Sequence, residues 1–507
     1  MRKEFERVSP ESVGLHSSDI LHLVEALEKS GTEMHGLMVM RHGKVAAEGW
    51  WNPFGPGIRH GLQSHTKTYA ATGLGIAYTE GLVKLDERII DIFPEDAPAE
   101  PSENLKLLTV RDVLCMGCGM DTMPFPTEHW IRDFLGTPVV HKPGTAYMYN
   151  STGSSLLCAI VEKKTGRKFN DYLTEKLFNR IGIDPGNIRW YNMPDGTAMG
   201  GGGMFATTED NLRLMKVYAD GGVFEGERIL AEDYVKLATS NQNDSATEAI
   251  GNPLATDNHL GYGFQIWMCK PEGVYRADGA MGQFTIVCPK QDLIIAINET
   301  AQTNKGETHW AQNTLNLCWE YLEKVDETLK EGVDPLPADP ENEDILKRKM
   351  AALALPNPQY QPFSPCKEAI NGKKFCHRDG NVSLKLMNFM APAPVENARA
   401  FTFCFEAGAA VLDLEQEDGS CQSFRIGTNG TRVTNICGAE EDQTRLLLLD
   451  GAWVKENVFK VNARWVETCF VKKLEFRFSE DECEIAEVGN KPVFGKLPDP
   501  AHYVKEA

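Results

Sequence analysis

The sequence predicts an α+β fold: an antiparallel sheet flanked by helices, with a helical lobe inserted into it, followed by a C-terminal all-β, barrel-like domain. Three observations carry this prediction. Strand-like runs lie near both ends of roughly the first 320 residues, and helix-like segments fill the middle. A Pro- and Asp-rich connection follows. From about residue 364 the pattern changes to short alternating strands separated by Gly, Asp and Asn. The expected layout is a first domain over residues 1–328, with its lobe at about 80–200, a linker with a short helix over 329–363, and a β-rich domain over 364–507.

Residues 11–31 read as a helix. Ser17, Ser18 or Asp19 can cap it, and Ile20, Leu23, Val24 and Leu27 form its apolar face. Leu37-Met38-Val39-Met40 and Val45-Ala46-Ala47 flank the turn Arg41-His42-Gly43-Lys44, so this part reads as a hairpin. A helix begins near Ser64 and runs through the small apolar residues Ala70–Ala77. Thr109–Leu114 opens a short helix ending near Gly117–Gly119, and Ser155–Glu162 lies in another ending at Gly166. Gly200–Gly203 implies backbone that is flexible or closely approached. It precedes a helix capped by Thr207 or Thr208, with Glu209 and Asp210 in the first turn. Strands are expected at Tyr262–Trp267, Phe284–Cys288 and Leu293–Ile297, the last two joined by the turn Pro289–Asp292. A helix over about Ala311–Leu322 closes the first domain.

The connection holds Pro335, Pro337 and Pro340, an amphipathic helix over about Glu341–Leu353, then Pro356, Pro358 and Pro362. Beyond it, Ala400–Phe405, Ala410–Leu414, Val458–Asn462 and Leu474–Phe478 recur as strands of a β-barrel or sandwich.

Composition excludes several function classes. The net charge of −20 opposes binding to nucleic-acid phosphates and to anionic membrane surfaces. No run approaches the roughly 18 apolar residues of a membrane-spanning helix. The N-terminal Met1–Val8 has no apolar stretch, so no signal peptide is expected. Thirteen cysteines, an odd number scattered singly, read as free thiols in a reducing compartment, and a cytoplasmic location is expected. Cys115-Met116-Gly117-Cys118 has redox or metal spacing but no second pair, so it reads as a helix end. His60, His65 and His141 are not at ligand spacing. No metal and no cofactor are expected.

Three stretches carry chemistry. In Gly61-Leu62-Gln63-Ser64-His65-Thr66-Lys67, Ser64 and Lys67 are one helical turn apart and share a face. A serine hydroxyl is a weak nucleophile until a base sits beside it, and Lys67 can be that base. The spacing alone is weak, because roughly one Ser-x-x-Lys arises by chance in a chain this long. A second copy, Ser364-Pro365-Cys366-Lys367, stands in the Pro-rich connection without an apolar helix after it. In Pro143-Gly144-Thr145-Ala146-Tyr147-Met148-Tyr149-Asn150-Ser151, a turn delivers Tyr149 ahead of a helix. A tyrosine beside a lysine ammonium can have its pKa lowered and shuttle protons; by itself it is an ordinary core aromatic. In Ala277-Asp278-Gly279-Ala280-Met281-Gly282-Gln283, small residues precede a strand, so a substrate can lie against the strand edge at Gly279, Ala280 and Gln283. A backbone N–H there can join that of Ser64 in an oxyanion hole; by itself the stretch is a Gly-rich hairpin.

Occurring together and in this order, the stretches resemble the serine β-lactamase and penicillin-binding-protein family, in the branch of class C β-lactamases and their esterase and D-peptidase relatives. The segment Gly201–Asp210 and Tyr262-Gly263-Phe264 fit the same pattern, and the resemblance covers about residues 10–325. It implies a β-lactamase/transpeptidase-like fold. It also implies that Ser64 accepts the acyl group, Lys67 is its base or proton shuttle, and Tyr149 helps protonate the leaving group.

Two departures shift the expected substrate. The family's Tyr-x-Asn reads Tyr149-Asn150-Ser151 here, so Ser151 takes the place of an amide expected to hold Lys67 and the substrate carbonyl. Where the family has Lys or His, this chain has Ala277-Asp278-Gly279. Loss of a charge-assisted contact to a carboxylate costs on the order of 1.5–3 kcal/mol. The expectation is therefore a serine hydrolase acting on a small neutral or cationic ester or amide, and not an efficient β-lactamase. The alternatives are a D-amino-acid peptidase or amidase, with Asp278 pairing a substrate ammonium, and a non-catalytic binding protein that keeps the fold.

Overall fold

A computed structural model describes residues 4–247, 254–301, 311–358, 361, 364–380, 382, 398–436, 446–489 and 497–506. The chain forms two compact units, one reaching Ala354 and the other beginning at Leu355.

The first unit opens with α1 (Ser17–Lys29), β1 (Glu33–Arg41), β2 (Lys44–Trp50) and β3 (His60–Gly61). Then come α2 (Thr66–Thr79), α3 (Ile89–Ile92), α4 (Val110–Leu114), α5 (Trp130–Gly136), α6 (Ser151–Thr165), α7 (Phe169–Leu173) and α8 (Asn179–Ile181). After these lie β4 (Arg189–Trp190), β5 (Met204–Ala206), α9 (Thr208–Ala219), β6 (Val223–Phe224), β7 (Glu227–Arg228) and α10 (Glu232–Ala238). The unit closes with β8 (Trp267–Met268), β9 (Tyr275–Gly279), β10 (Gln283–Cys288), β11 (Leu293–Thr300), α11 (Gln312–Lys330) and α12 (Pro340–Ala351).

Its main sheet has the order β2-β1-β11-β10-β9-β8 and is antiparallel throughout. Strands from the two ends of the unit are thus neighbours, with the helical lobe inserted between them in sequence. The reason lies in β1 and β11. Both are buried along nearly their whole length, so each must be covered on both faces and bordered by strands on both sides. Met38, Met40, Ile294 and Ala296 alternate onto the core shared with α2 and the lobe. Helix α9 lies across β1, β10 and β11, and α1 packs on β1 and against α11 and α12.

Several elements differ from the sequence expectation. Helix α1 starts at Ser17, and residues 10–13 form a separate short turn. Its N-terminus is satisfied by the Glu11 carboxylate, which accepts from the Ser17 N–H at 2.8 Å and the Ser17 hydroxyl at 3.0 Å. The strand expected at Tyr262–Trp267 shrinks to Trp267–Met268, because Gln265 sits at φ 57° and turns the chain. Helix α11 runs on to Lys330, where Val325 and Thr328 extend its buried stripe.

The second unit holds α13 (Cys366–Ile370) and the strands β12 (Lys374–Asp379), β13 (Ala400–Glu406), β14 (Ala409–Glu415), β15 (Cys421–Gly427) and β16 (Val433–Ile436). It continues with β17 (Leu446–Lys455), β18 (Val458–Trp465), β19 (Val471–Phe478), β20 (Glu482–Glu487) and β21 (Ala501–Lys505). The order β15-β14-β13-β12-β21-β20-β19-β18-β17 closes on itself where Gly427 pairs with Asp450. This is a nine-strand barrel with β16 added beside β17. Phe375, Phe401, Phe403, Phe459, Phe476 and Phe478 fill its interior, which is the physical reason for the alternating pattern.

Candidate active site

Ser64 sits in a tight turn over Gln63–His65 that leads directly into α2. Gln63 takes a positive φ of 51°, so the chain bends sharply just before the serine. Ser64 stays half-exposed, whereas Lys67 is buried one turn later. The Lys67 Nζ donates to Ser64 Oγ at 3.1 Å, to Ser151 Oγ at 3.1 Å and to the Gly201 carbonyl at 2.5 Å. These three acceptors match the three donors of an ammonium.

Each acceptor is delivered by local structure. Asn150 is buried and caps α6, its Oδ1 accepting from the Gly153 N–H at 2.8 Å. That role places the next residue, Ser151, at the helix start and facing Lys67. The glycines at 200 and 201 allow the backbone to lie against α6. A Cβ on Gly201 would stand 2.3 Å from the Ser151 carbonyl oxygen, and one on Gly200 would stand 2.5 Å from that of Ser154. The Gly201 carbonyl is thereby brought to Lys67.

Burial pulls the Lys67 ammonium down to about 7, and the Asp278 carboxylate opposes that pull. Tyr149 lies beside it, with Lys67 Nζ 4.6 Å from the ring centroid. Burial holds the Tyr149 phenol well above its ordinary value, while its hydrogen bond with Ser64 opposes. The expectation of a phenol acidified by Lys67 is therefore corrected. In the resting site Tyr149 is a neutral O–H, because desolvation of a phenolate outweighs a neighbouring lysine that is itself only partly charged. Tyr149 stacks on Trp267, with ring centroids 5.8 Å apart, and Trp267 in turn packs edge-on against Tyr262 at 4.8 Å.

The third stretch borders the serine turn. A Cβ on Gly279 would lie 2.0 Å from the Leu62 carbonyl oxygen, so β9 approaches the Ser64 turn as closely as only glycine permits. Ala280 follows in the β9–β10 turn and is half-buried. Gln283 does not join the site through its side chain. It is fully buried, donates to the Glu299 carbonyl at 2.7 Å and accepts from Asn298 at 3.0 Å. It holds the turn instead. Beneath that turn, Gly282 at φ 92° packs on the buried Glu299 carboxyl, which bonds Thr314.

Asp278 keeps 18 % of its side chain exposed, whereas its partner Arg276 keeps none. Arg276 donates from Nε to Asp278 Oδ2 at 2.8 Å, and its other nitrogens reach the Met268 carbonyl and Asn258 Oδ1. Burial raises the Asp278 carboxyl above its ordinary value, with Arg276 opposing.

Arg276, Trp267 and the Gly201 carbonyl escaped the sequence reading as site groups. Only Arg276 left a signal, since two residues apart on a strand is the same face. The histidines lie elsewhere in their bonding. His65 contacts Thr285 Oγ1 at 3.0 Å, His60 contacts His35 at 2.8 Å, and His141 contacts Asp121 at 2.8 Å. Cys115 follows α4 and its thiol is pushed up to about 12 by burial, as expected of a packing thiol. Among the described residues no cluster of three or more His, Cys, Asp or Glu is placed to hold a metal ion. The second Ser-x-x-Lys is not a site of this kind. Ser364 Oγ donates to the Glu456 carbonyl, and Lys367 Nζ lies 5.7 Å from the Phe405 ring centroid.

The chain is similar to several known proteins. A family model described as Beta-lactamase matches residues 24–316, more than half of the chain. The 6-aminohexanoate-dimer hydrolase of Paenarthrobacter ureafaciens is 24% identical over 312 residues, covering 57% of this chain and 77% of that protein. The N-acetylmuramyl-L-alanine amidase of Bacillus subtilis (strain 168) is 23% identical over 310 residues, covering 49% of this chain and 68% of that protein. A solved β-lactamase-type structure from Bacteroides dorei DSM 17855 superposes with a TM-score of 0.51 at 17% identity, covering 61% of this chain and 98% of that one. That likeness concerns the fold.

Proposed function

The chain belongs to the Beta-lactamase family of serine hydrolases, and we propose that it cleaves a small amide or ester through an acyl-enzyme on Ser64. The observation that carries this is Lys67. A lysine 3.1 Å from a half-exposed serine hydroxyl, with its ammonium pulled down to about 7, is a base ready at neutral pH.

Neutral Lys67 takes the Ser64 proton as Oγ attacks the carbonyl carbon. The backbone N–H groups of Ser64 and Ala280 receive the developing oxyanion. Tyr149, held as a phenol, gives its proton to the leaving nitrogen or oxygen, and Lys67 returns a proton to Tyr149. Water then attacks the acyl-enzyme carbonyl with Lys67 taking its proton, the bond from Ser64 Oγ to the acyl carbon breaks, and Lys67 returns the proton to Oγ. Ser151 and the Gly201 carbonyl keep Nζ aimed at Ser64 throughout.

An amide is the favoured substrate, in keeping with the 6-aminohexanoate-dimer hydrolase and the amidase among the relatives. β-Lactams are poor candidates because Ala277 offers a carboxylate no cation and Asp278 stands beside that gap. The buried unpaired thiols Cys158, Cys288 and Cys318 favour a reducing compartment for the reaction.

The test is turnover of activated short-chain esters and anilides by the wild type beside Ser64→Ala. Turnover lost in the variant supports the reading. Turnover surviving it removes Ser64 as nucleophile, and thermal stabilisation by such compounds without turnover favours a binding role.

A further inference from the structure

We propose that Asp278 sets the charge preference of the site, so that it takes substrates carrying a cationic amine and turns away those carrying a carboxylate. The inference rests on the hydrolase reading above and names the substrate class of the same site.

The site is not short of cations; it withholds them. Arg276 points from the same strand face as Asp278, but its side chain is fully buried and bonded to Asp278, Met268 and Asn258. A substrate carboxylate would have to displace Asp278 to reach it. Lys67 directs its donors at Ser64, Ser151 and Gly201. Asp278, in contrast, keeps exposed area, and the hydrogen bond from Arg276 takes up its Oδ2. Asp278 directly precedes Gly279, whose backbone abuts Leu62 at the Ser64 turn, and Arg276 on the same strand pairs with Trp267, on which Tyr149 stacks.

The neighbours agree in sign. Asp257 is buried nearby and adds a second negative charge felt by Asp278. Against the single charge of Arg276, the two carboxylates leave the strand edge negative whenever Lys67 is neutral. Tyr149, Trp267 and Tyr147 are half-buried beside it and offer aromatic faces, which attract cations and repel carboxylates. The overall charge of −20 steers cations toward the protein in the same sense.

The test uses turnover of a neutral activated ester and asks how two unreactive probes of matched size inhibit it, hexylammonium and hexanoate. In the wild type, hexylammonium is expected to compete at a concentration at least about tenfold lower than hexanoate, a difference of about 1.4 kcal/mol. In Asp278→Asn the ratio is expected to collapse toward one, as the negative charge at the strand edge is lost. Equal inhibition in the wild type, or an unchanged ratio in a folded Asp278→Asn, overturns the inference. The wild-type ratio decides even where the variant does not fold. Absence of Ser64-dependent ester turnover would instead overturn the hydrolase reading on which the inference stands. The two failures are thus distinguishable.

Discussion

Lys67 Nζ and Ser64 Oγ lie 3.1 Å apart, yet the serine is half-exposed and the lysine buried. One helical turn separates solvent from the interior. The nucleophile meets substrate, while its base sits where an ammonium is costly. That asymmetry makes a lysine able to act as a base near pH 7.

The first prediction concerns pH. Below about 7 Lys67 carries its proton and cannot accept another from Ser64; above it Lys67 is free to do so. Acylation, read as kcat/KM for a neutral ester, should fall roughly tenfold per pH unit on the acid side and level off above. Lys67→Ala should lower it by about 10²–10⁴. Because burial lowers the folded-state value from 10.5 to about 7, the unfolded chain binds more protons between these limits. Denaturation should show the Lys67 contribution to stability improving as pH rises through that window.

Ser151→Ala removes one of the three acceptors of the Lys67 ammonium. A hydrogen bond to a charged donor contributes about 1.5–3 kcal/mol, so its loss favours the neutral lysine. The acid limb of the pH profile should move below that of the wild type, and kcat should drop about tenfold as Nζ loses its aim. An unmoved acid limb would mean Ser151 does not hold Lys67.

Two serines open Ser-x-x-Lys motifs, but only Ser64 has its lysine within reach; Ser364 bonds a backbone carbonyl in a buried position. Intact-mass spectrometry after fluorophosphonate treatment should show one adduct on wild type and on Ser364→Ala, and none on Ser64→Ala. An adduct that persists in Ser64→Ala would place the reactive serine elsewhere.

Gly279→Ala puts a methyl group 2.0 Å from the Leu62 carbonyl oxygen, two residues before Ser64. The strand and the serine turn must part, costing about 1–3 kcal/mol of stability in thermal unfolding. Turnover should fall more steeply than stability, because oxyanion donors misplaced by a fraction of an ångström lose their effect. Gly57→Ala, where an added Cβ meets nothing within 4 Å, serves as the neutral control.

Much of this molecule was legible in its residues. The continuous apolar runs Leu37–Met40 and Leu293–Ile297, the cap at Thr207 and the left-handed Gly166 are local signals, and the structure keeps them. So are Ser64 and Lys67, whose one-turn spacing is a property of any helix. The short-range pattern also announced a barrel or sandwich, since alternating apolar residues must face one interior, and strand pairing decided for the barrel.

What the sequence by itself determined is therefore most of the elements and the pairing of Ser64 with Lys67. What only the tertiary structure decided is the electrostatic state of the site. The Lys67 ammonium is destabilised because it is buried, Tyr149 stays a phenol for the same reason, and Gln283 turns inward to hold Glu299 and Asn298. The Arg276 charge is hidden behind Asp278 by strand register. Local propensity acts over a few residues along the chain, whereas desolvation and charge pairing depend on which distant segments exclude water together.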